Sequence, residues 1–170
     1  MPADLLKSPE TAHRIHFQDC DPLGHLNNAR YLDYFLNARE EHTLQHYAFS
    51  LGQVARELGA SWVITKHYLA YLRPANHGET VQIRSQLIHF DNSNLVLEMQ
   101  MRDEGGTRLK ALLWSEMAFV NIASATRTDH SDSLMELLDQ LDVEEISYDP
   151  DGFDERVRRL RKELKRERAE

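Results

Sequence analysis

Asp19-Cys20-Asp21-Pro22-Leu23-Gly24-His25-Leu26-Asn27-Asn28-Ala29-Arg30-Tyr31 gathers two carboxylates, an imidazole, two amides and a phenol into one short stretch. To its left, residues 12–19 alternate, with Ile15 and Phe17 on one side and His16 and Gln18 on the other, which predicts a short strand. Pro22 biases Asp21 toward extended backbone and ends that strand. Gly24 supplies the freedom to turn. To its right, residues 29–42 read as a helix, with Asn27 or Asn28 as its N-cap. A polar cluster at a strand-to-helix junction points to a site, because a helix start offers amide donors with no partner of their own.

Working outward, the helix is apolar on most sides through Tyr31, Leu32, Tyr34, Phe35, Leu36 and Ala38, so it calls for cover nearly all round. A shorter helix is expected over Leu51–Leu58, stopped by Gly59. The period then changes to two. Strands are expected over 61–73, 80–90, 95–102 and 109–122, with Pro74 ending the first. The turns at 91–94 and 104–106 are short enough for hairpins. Strand, apolar helix and a four-strand antiparallel meander together describe an α+β fold. Residues 1–11, with Pro2 and Pro9, read as a loose arm. After Asp129 the pattern is helical: Ser133 and Glu136 suggest a capping box ahead of Leu134, Leu137, Leu138 and Leu141. Beyond a linker at 149–152, Phe153, Val157, Leu160 and Leu164 form a narrow stripe on a charged helix, expected to pack on the domain or on a neighbouring subunit. This divides the chain into a domain over 10–128 and a charged helical tail over 129–170.

At 170 residues the chain can bury a substantial core. Its net charge of −8 is uneven: residues 129–170 hold fourteen acids against eight bases, while 1–128 hold fourteen against twelve. Neither part has the basic excess of a nucleic-acid binder, apart from the interrupted run at 156–168. No apolar run approaches the roughly 18 residues of a membrane span, and no leader is recognisable, so a cytoplasmic protein is expected. One cysteine, Cys20, excludes an internal disulfide and a cysteine-built metal site. The histidines His13, His16, His67, His77 and His89 have no ligand spacing, so no metal is expected.

With the motif set beside the layout, the chain resembles the hot-dog-fold acyl-CoA thioesterases of the 4-hydroxybenzoyl-CoA thioesterase type, in which an antiparallel sheet wraps a long central helix. Within that group it is similar to the long-chain acyl-CoA thioesterases and the plant acyl-carrier-protein thioesterases, which carry a Gly/Gln-His-x-Asn-Asn block. The matching residues are Asp19, Asp21, Pro22, Gly24, His25, Asn27, Asn28 and Tyr31. The likeness in layout extends over about 12–128, and the tail has no counterpart in it. The resemblance implies that Asp21 is the catalytic carboxylate and that a backbone amide near Asn28 polarises the thioester carbonyl. It implies an acyl-CoA or acyl-carrier-protein substrate, coenzyme A entering only as part of that substrate, and no cofactor or metal. It also implies homodimers joined sheet edge to sheet edge, often paired into homotetramers, with basic residues late in the strand region holding coenzyme A phosphates.

The chemistry is compatible with these residue types. A carboxylate can attack a thioester to give an anhydride or deprotonate water, and helix-start amides can hold the oxyanion. Each residue also has a plainer reading. Asp21 before Pro22 could open a turn. His25 could act as general acid, orient water or sit in the turn. Asn27 and Asn28 could be caps or substrate contacts. Tyr31 could be core or line an acyl pocket. Asp19 reads as a supporting acid, and strand alternation points Cys20 away from Asp21. His67, mid-strand, reads as an ordinary sheet histidine. Arg127 is a candidate contact for a coenzyme A phosphate or a solvated arginine at a strand end.

Overall fold

A computed structural model describes residues 5–47 and 50–169. The period-two segments become β2 (Ala60–Tyr71), β3 (Thr80–Phe90), β4 (Asn94–Asp103) and β5 (Leu109–Asn121), preceded by β1 (Glu10–Arg14). The sheet order is β1-β3-β4-β5-β2, all antiparallel, with the two-residue β6 (Thr126–Arg127) also on β5. The meander therefore covers β3 to β5 only. β2 does not pair with β3 but crosses to the far side of β5. Its connection at 72–79, broken by Pro74, is too long for a tight hairpin.

α1 (Tyr31–His46) lies in the concave face of this sheet. Tyr31, Tyr34, Phe35 and Ala38 pack there against Val81, Ile83, Met99, Met101, Ala111 and Leu113, every second residue of three neighbouring strands. This is the hot-dog architecture. The cover is incomplete within one chain: Leu36 and Leu44 stay exposed on α1. α2 (Leu51–Leu58) ends as expected at Gly59, whose φ of 63° is left-handed.

Two local expectations need correction. The first strand is β1 over Glu10–Arg14, two residues earlier than its apolar alternation suggested, so Glu10 and Thr11 leave the arm; residues 1–4, with Pro2, lie outside the described residues. β3 starts at Thr80, which pairs with Arg14, and a strand cannot extend where its partner has ended. Phe17–Asp19 instead forms a 3₁₀ turn, and Phe17 is 79% exposed, its ring edge-on to His77. In the tail, α3 (Asp132–Leu141) is capped by Ser131, which accepts from the Leu134 amide, and not by Ser133.

α3 and α4 (Phe153–Glu167) cover opposite faces. Leu138 and Leu141 of α3 join Leu87, Leu95, Leu97 and Met117 beyond the end of α1. α4 lies on the convex face, where Phe153, Val157, Leu160 and Leu164 pack on Ile88, Val96, Leu112 and Trp114. Its register is set by a fully buried carboxylate. Glu98 Oε1 accepts from Arg156 Nη2 at 2.8 Å, and Oε2 accepts from Arg156 Nε at 2.8 Å and Trp114 Nε1 at 2.9 Å. Burial alone would raise the Glu98 pKa, but the hydrogen bonds and charge of Arg156, aided by Trp114 and Gln100, hold it below the ordinary range. Arg156→Ala leaves that charge buried and unpaired, so we expect a loss of about 3–5 kcal/mol in denaturant unfolding, with Glu98→Gln/Arg156→Leu closer to wild type. An unchanged midpoint for the single variant would contradict this account.

A second buried polar node ties α1 to the sheet. His42 Nε2 shares a hydrogen bond with Thr11 Oγ1 at 2.9 Å, and Nδ1 with Ser85 Oγ at 2.7 Å. Desolvation, with the nearby charges of Arg39, His46 and His13, pushes its pKa down to about 4. An unfolded histidine binds its proton near 6.5. Between these values the unfolded state holds more protons, so this contribution is complete above about pH 6.5 and is lost as pH falls toward 4. It amounts to on the order of 3 kcal/mol. Urea unfolding at pH 7 and pH 4.5 should show a smaller acid loss for His42→Gln than for wild type; equal losses would remove His42 from the explanation.

Candidate functional site

The segment between β1 and α1 is held by backbone pairing at both ends of a tight turn. Asp21 N–H donates to His25 O at 2.8 Å and Gly24 N–H to Asp21 O at 3.0 Å. Gly24 has φ 77°, the left-handed conformation this turn needs. Leu26 N–H then donates to Ala75 O at 2.8 Å, and His77 N–H to Gly24 O at 2.9 Å, stitching the turn to the β2–β3 connection. The Pro74 break that prevents a hairpin therefore also supplies the wall behind the motif.

A pocket of about 280 Å³ opens on this junction, and Asp21, His25, Asn28 and Tyr31 all line it. Asp21 Oδ1 accepts from the Leu23 amide at 2.9 Å and the His25 amide at 3.1 Å, so the turn-forming reading of this residue is realised. Its Oδ2 has no hydrogen-bond partner among the described residues. Asn27 is the cap: its Oδ1 accepts from the Ala29 amide at 2.9 Å. Asn28 opens a 3₁₀ turn, Asn28–Arg30, that feeds α1, and since the Ala29 and Arg30 amides both donate to Asn27, the open amide is that of Asn28, one turn before the helix instead of within it. The Asn28 amide has no acceptor among the described residues.

Tyr31 is a core residue that also borders this pocket. Its ring lies edge-on to Tyr71 at 5.0 Å. Burial raises its pKa, so it stays a neutral phenol. Asp19 supports the site from behind: it accepts from the Tyr34 hydroxyl at 2.8 Å, and its backbone carbonyl accepts from Asn27 N–H. Cys20 has its thiol pKa raised by desolvation and by the flanking Asp19 and Asp21, which keeps it out of the thiolate form. His67 shares a hydrogen bond with Ser115 Oγ at 2.9 Å and does not line the pocket.

Arg127 is not brought to the pocket within one chain. It sits on β6 opposite Val120 and donates to Asn94 Oδ1 at 2.7 Å. The pocket lies at the other end of β5, where Tyr71 pairs with Ala111. Nine residues of strand, roughly 30 Å, separate the two.

Two polar lining residues were not anticipated. Tyr71, at the end of β2, donates its hydroxyl to Asn28 O at 3.0 Å and so fixes the peptide that precedes α1. Arg73 follows it and lines the same pocket. The sequence signal for both was slight: their place at a strand end just before Pro74.

Residues 15–141 match the family model described as the thioesterase-like superfamily. Protein THEM6 of Danio rerio is 27% identical over 110 residues, which is 65% of this chain and 53% of that protein, so the chain spans about half the length of the curated relative it matches. Among solved structures, SAV2348 from Staphylococcus aureus, determined in complex with CoA, superposes with a TM-score of 0.71 at 15% identity, covering 83% of this chain and 89% of that one. Slr0204, a 1,4-dihydroxy-2-naphthoyl-CoA thioesterase from Synechocystis, superposes with a TM-score of 0.69 at 12% identity, covering 79% and 97%. At these identities the superpositions speak to the fold.

Proposed function

From its membership of the thioesterase-like superfamily, to which the chain belongs, we propose that this protein hydrolyses the thioester of an acyl-CoA or acyl-carrier protein to free acid and thiol. The observation that carries this reading is one pocket holding a carboxylate with a free oxygen, Asp21 Oδ2, and an unpartnered amide, that of Asn28. Asp21 acts as nucleophile or as general base toward water, and the Asn28 amide stabilises the oxyanion. These effects are typically worth about 10²–10⁴-fold and 10²–10³-fold respectively. Tyr71 bonds the Asn28 carbonyl, on the peptide that follows this amide, and so restrains residue 28 from its far side. His25 lines the pocket and serves as a proton donor or water orienter, while Asn27 holds the turn. The reading needs no cofactor or metal. Asp21→Asn keeps the turn-forming Oδ1 and removes the base, so turnover of an acyl-CoA panel should drop by at least about 10²-fold with folding retained. Wild-type rates in that variant would sink the mechanism.

A second reading, binding of acyl thioesters without turnover, is favoured by the two amides already bonded to Asp21 Oδ1. Mass spectrometry of a long incubation separates the two, since only the enzyme converts the thioester.

The same proposal includes a homodimer. β2 is a twelve-residue edge strand whose Val63 and Ile64 are 51% and 37% exposed, beside the open Leu36 of α1. A long apolar edge invites pairing by another strand. A second copy aligned antiparallel along β2 would continue the sheet, cover α1, and bring its own Arg127 end toward the Asp21 pocket. Light scattering should report twice the chain mass, falling to one chain for Val63→Glu/Ile64→Glu; a wild-type monomer would refute the dimer.

A further inference from the structure

We propose that the basic groove between α4 and the β4–β5 turn binds the phosphorylated nucleotide end of coenzyme A, an inference that rests on the thioester reading above. The groove has a volume of about 540 Å³. Arg73 lines it from the β2–β3 connection, Arg108 from the β4–β5 turn, Arg158, Arg161, Lys162 and Lys165 from α4, and Arg168 from the C-cap of that helix. Among the described residues no acidic one lines it. All seven cations are exposed, and none is in an ion pair among the described residues. In a chain of net charge −8 this is a local reversal of sign, held together against its own repulsion.

The arrangement on α4 is ordered by helical period. From Arg158 the cations recur at intervals of three, four, seven and ten, which places them on one side of the helix, next to the buried stripe. The acids fall elsewhere: Glu163 contacts Arg156 at 3.6 Å, and Glu167 acts on Arg102. The helix dipole favours cations in the last turn of α4, but it accounts neither for Arg158 and Arg161 nor for Arg73 and Arg108, which lie on other elements.

What selects the ligand is the position of Arg73. It lines both the groove and the Asp21 pocket, so the two are neighbours. Coenzyme A carries a phosphomonoester and a pyrophosphate on the same flexible arm as its thioester. One molecule can therefore lay its phosphates along the groove while its carbonyl enters the pocket, and arginine forks suit those phosphates. A carrier protein presents its acyl group on a phosphopantetheine arm with a single phosphodiester, so it lacks the nucleotide phosphates that these forks would hold.

Titration calorimetry on the full chain with adenosine 3′,5′-bisphosphate and with coenzyme A tests this. Both should bind, more weakly as salt rises, and Arg161→Glu/Lys165→Glu should weaken each on the order of tenfold with circular dichroism unchanged. Should that variant misfold, Arg161→Gln and Lys165→Gln singly should shift affinity the same way by less. The preference for acyl-CoA over the same acyl group on pantetheine should fall in parallel. No binding of either ligand, or binding indifferent to the substitutions, overturns the proposal. So does a variant that loses turnover of acyl-carrier protein but keeps its affinity for coenzyme A. If no thioester is hydrolysed at all, the enzymatic reading fails while the bisphosphate titration still decides the groove.

Discussion

α1 has too little polar surface to stand in water, and the structure follows from giving it cover. The sheet curls because Tyr31, Tyr34, Phe35 and Ala38 must be met from several strands at once, and alternate residues of β3, β4 and β5 meet them. Burying the helix this way fixes where its first turn lies, and with it the motif that precedes it. Site position is thus a consequence of core packing. The inward hydroxyls of Thr11 and Ser85 then lock α1 in register through His42, a polar contact placed where a purely apolar interface would allow sliding.

The convex face carries a different logic. Sheets of this kind expose alternate side chains outward, and here those positions hold Leu112, Trp114 and Glu98 instead of a solvated set. A buried carboxylate tolerates that position only with donors on both oxygens, and Arg156 supplies two of them. This pins α4 in one register and so determines which of its sides is left facing outward. The cations of that side meet Arg73 and Arg108 for this reason, and the groove is a by-product of how Glu98 is satisfied.

Much of the architecture was legible because it rests on periodicity. The limits of β3 and the Gly59 stop of α2 were read as they stand, and the other long strands differ by one or two residues at their ends. The misreadings in the sheet share one cause, which is that a strand needs a partner. Ile15 and Phe17 alternate, but β3 has no residue left to pair with Phe17, so it turns outward. β2 looked like one more hairpin strand until its place across β5 made it an edge. The Ser133 box lost to Ser131 by two residues, a choice between adjacent caps that composition does not resolve.

At the site, residue types and short-range order suffice to nominate Asp21, His25, Asn27 and Asn28, because a turn and a helix start are local events governed by Pro22, Gly24 and the Asn caps. The sequence by itself determined the hot-dog fold class and the segment in which to look for a site. Only the tertiary structure decided that Tyr71 grips the Asn28 carbonyl, that Arg73 bridges two pockets, and that a tail counted as acidic presents a basic side to them. Those contacts join residues some 40 to 90 positions apart. Which of them meet depends on how the strands order across the sheet and which helix face is buried, and no periodicity along the chain encodes that.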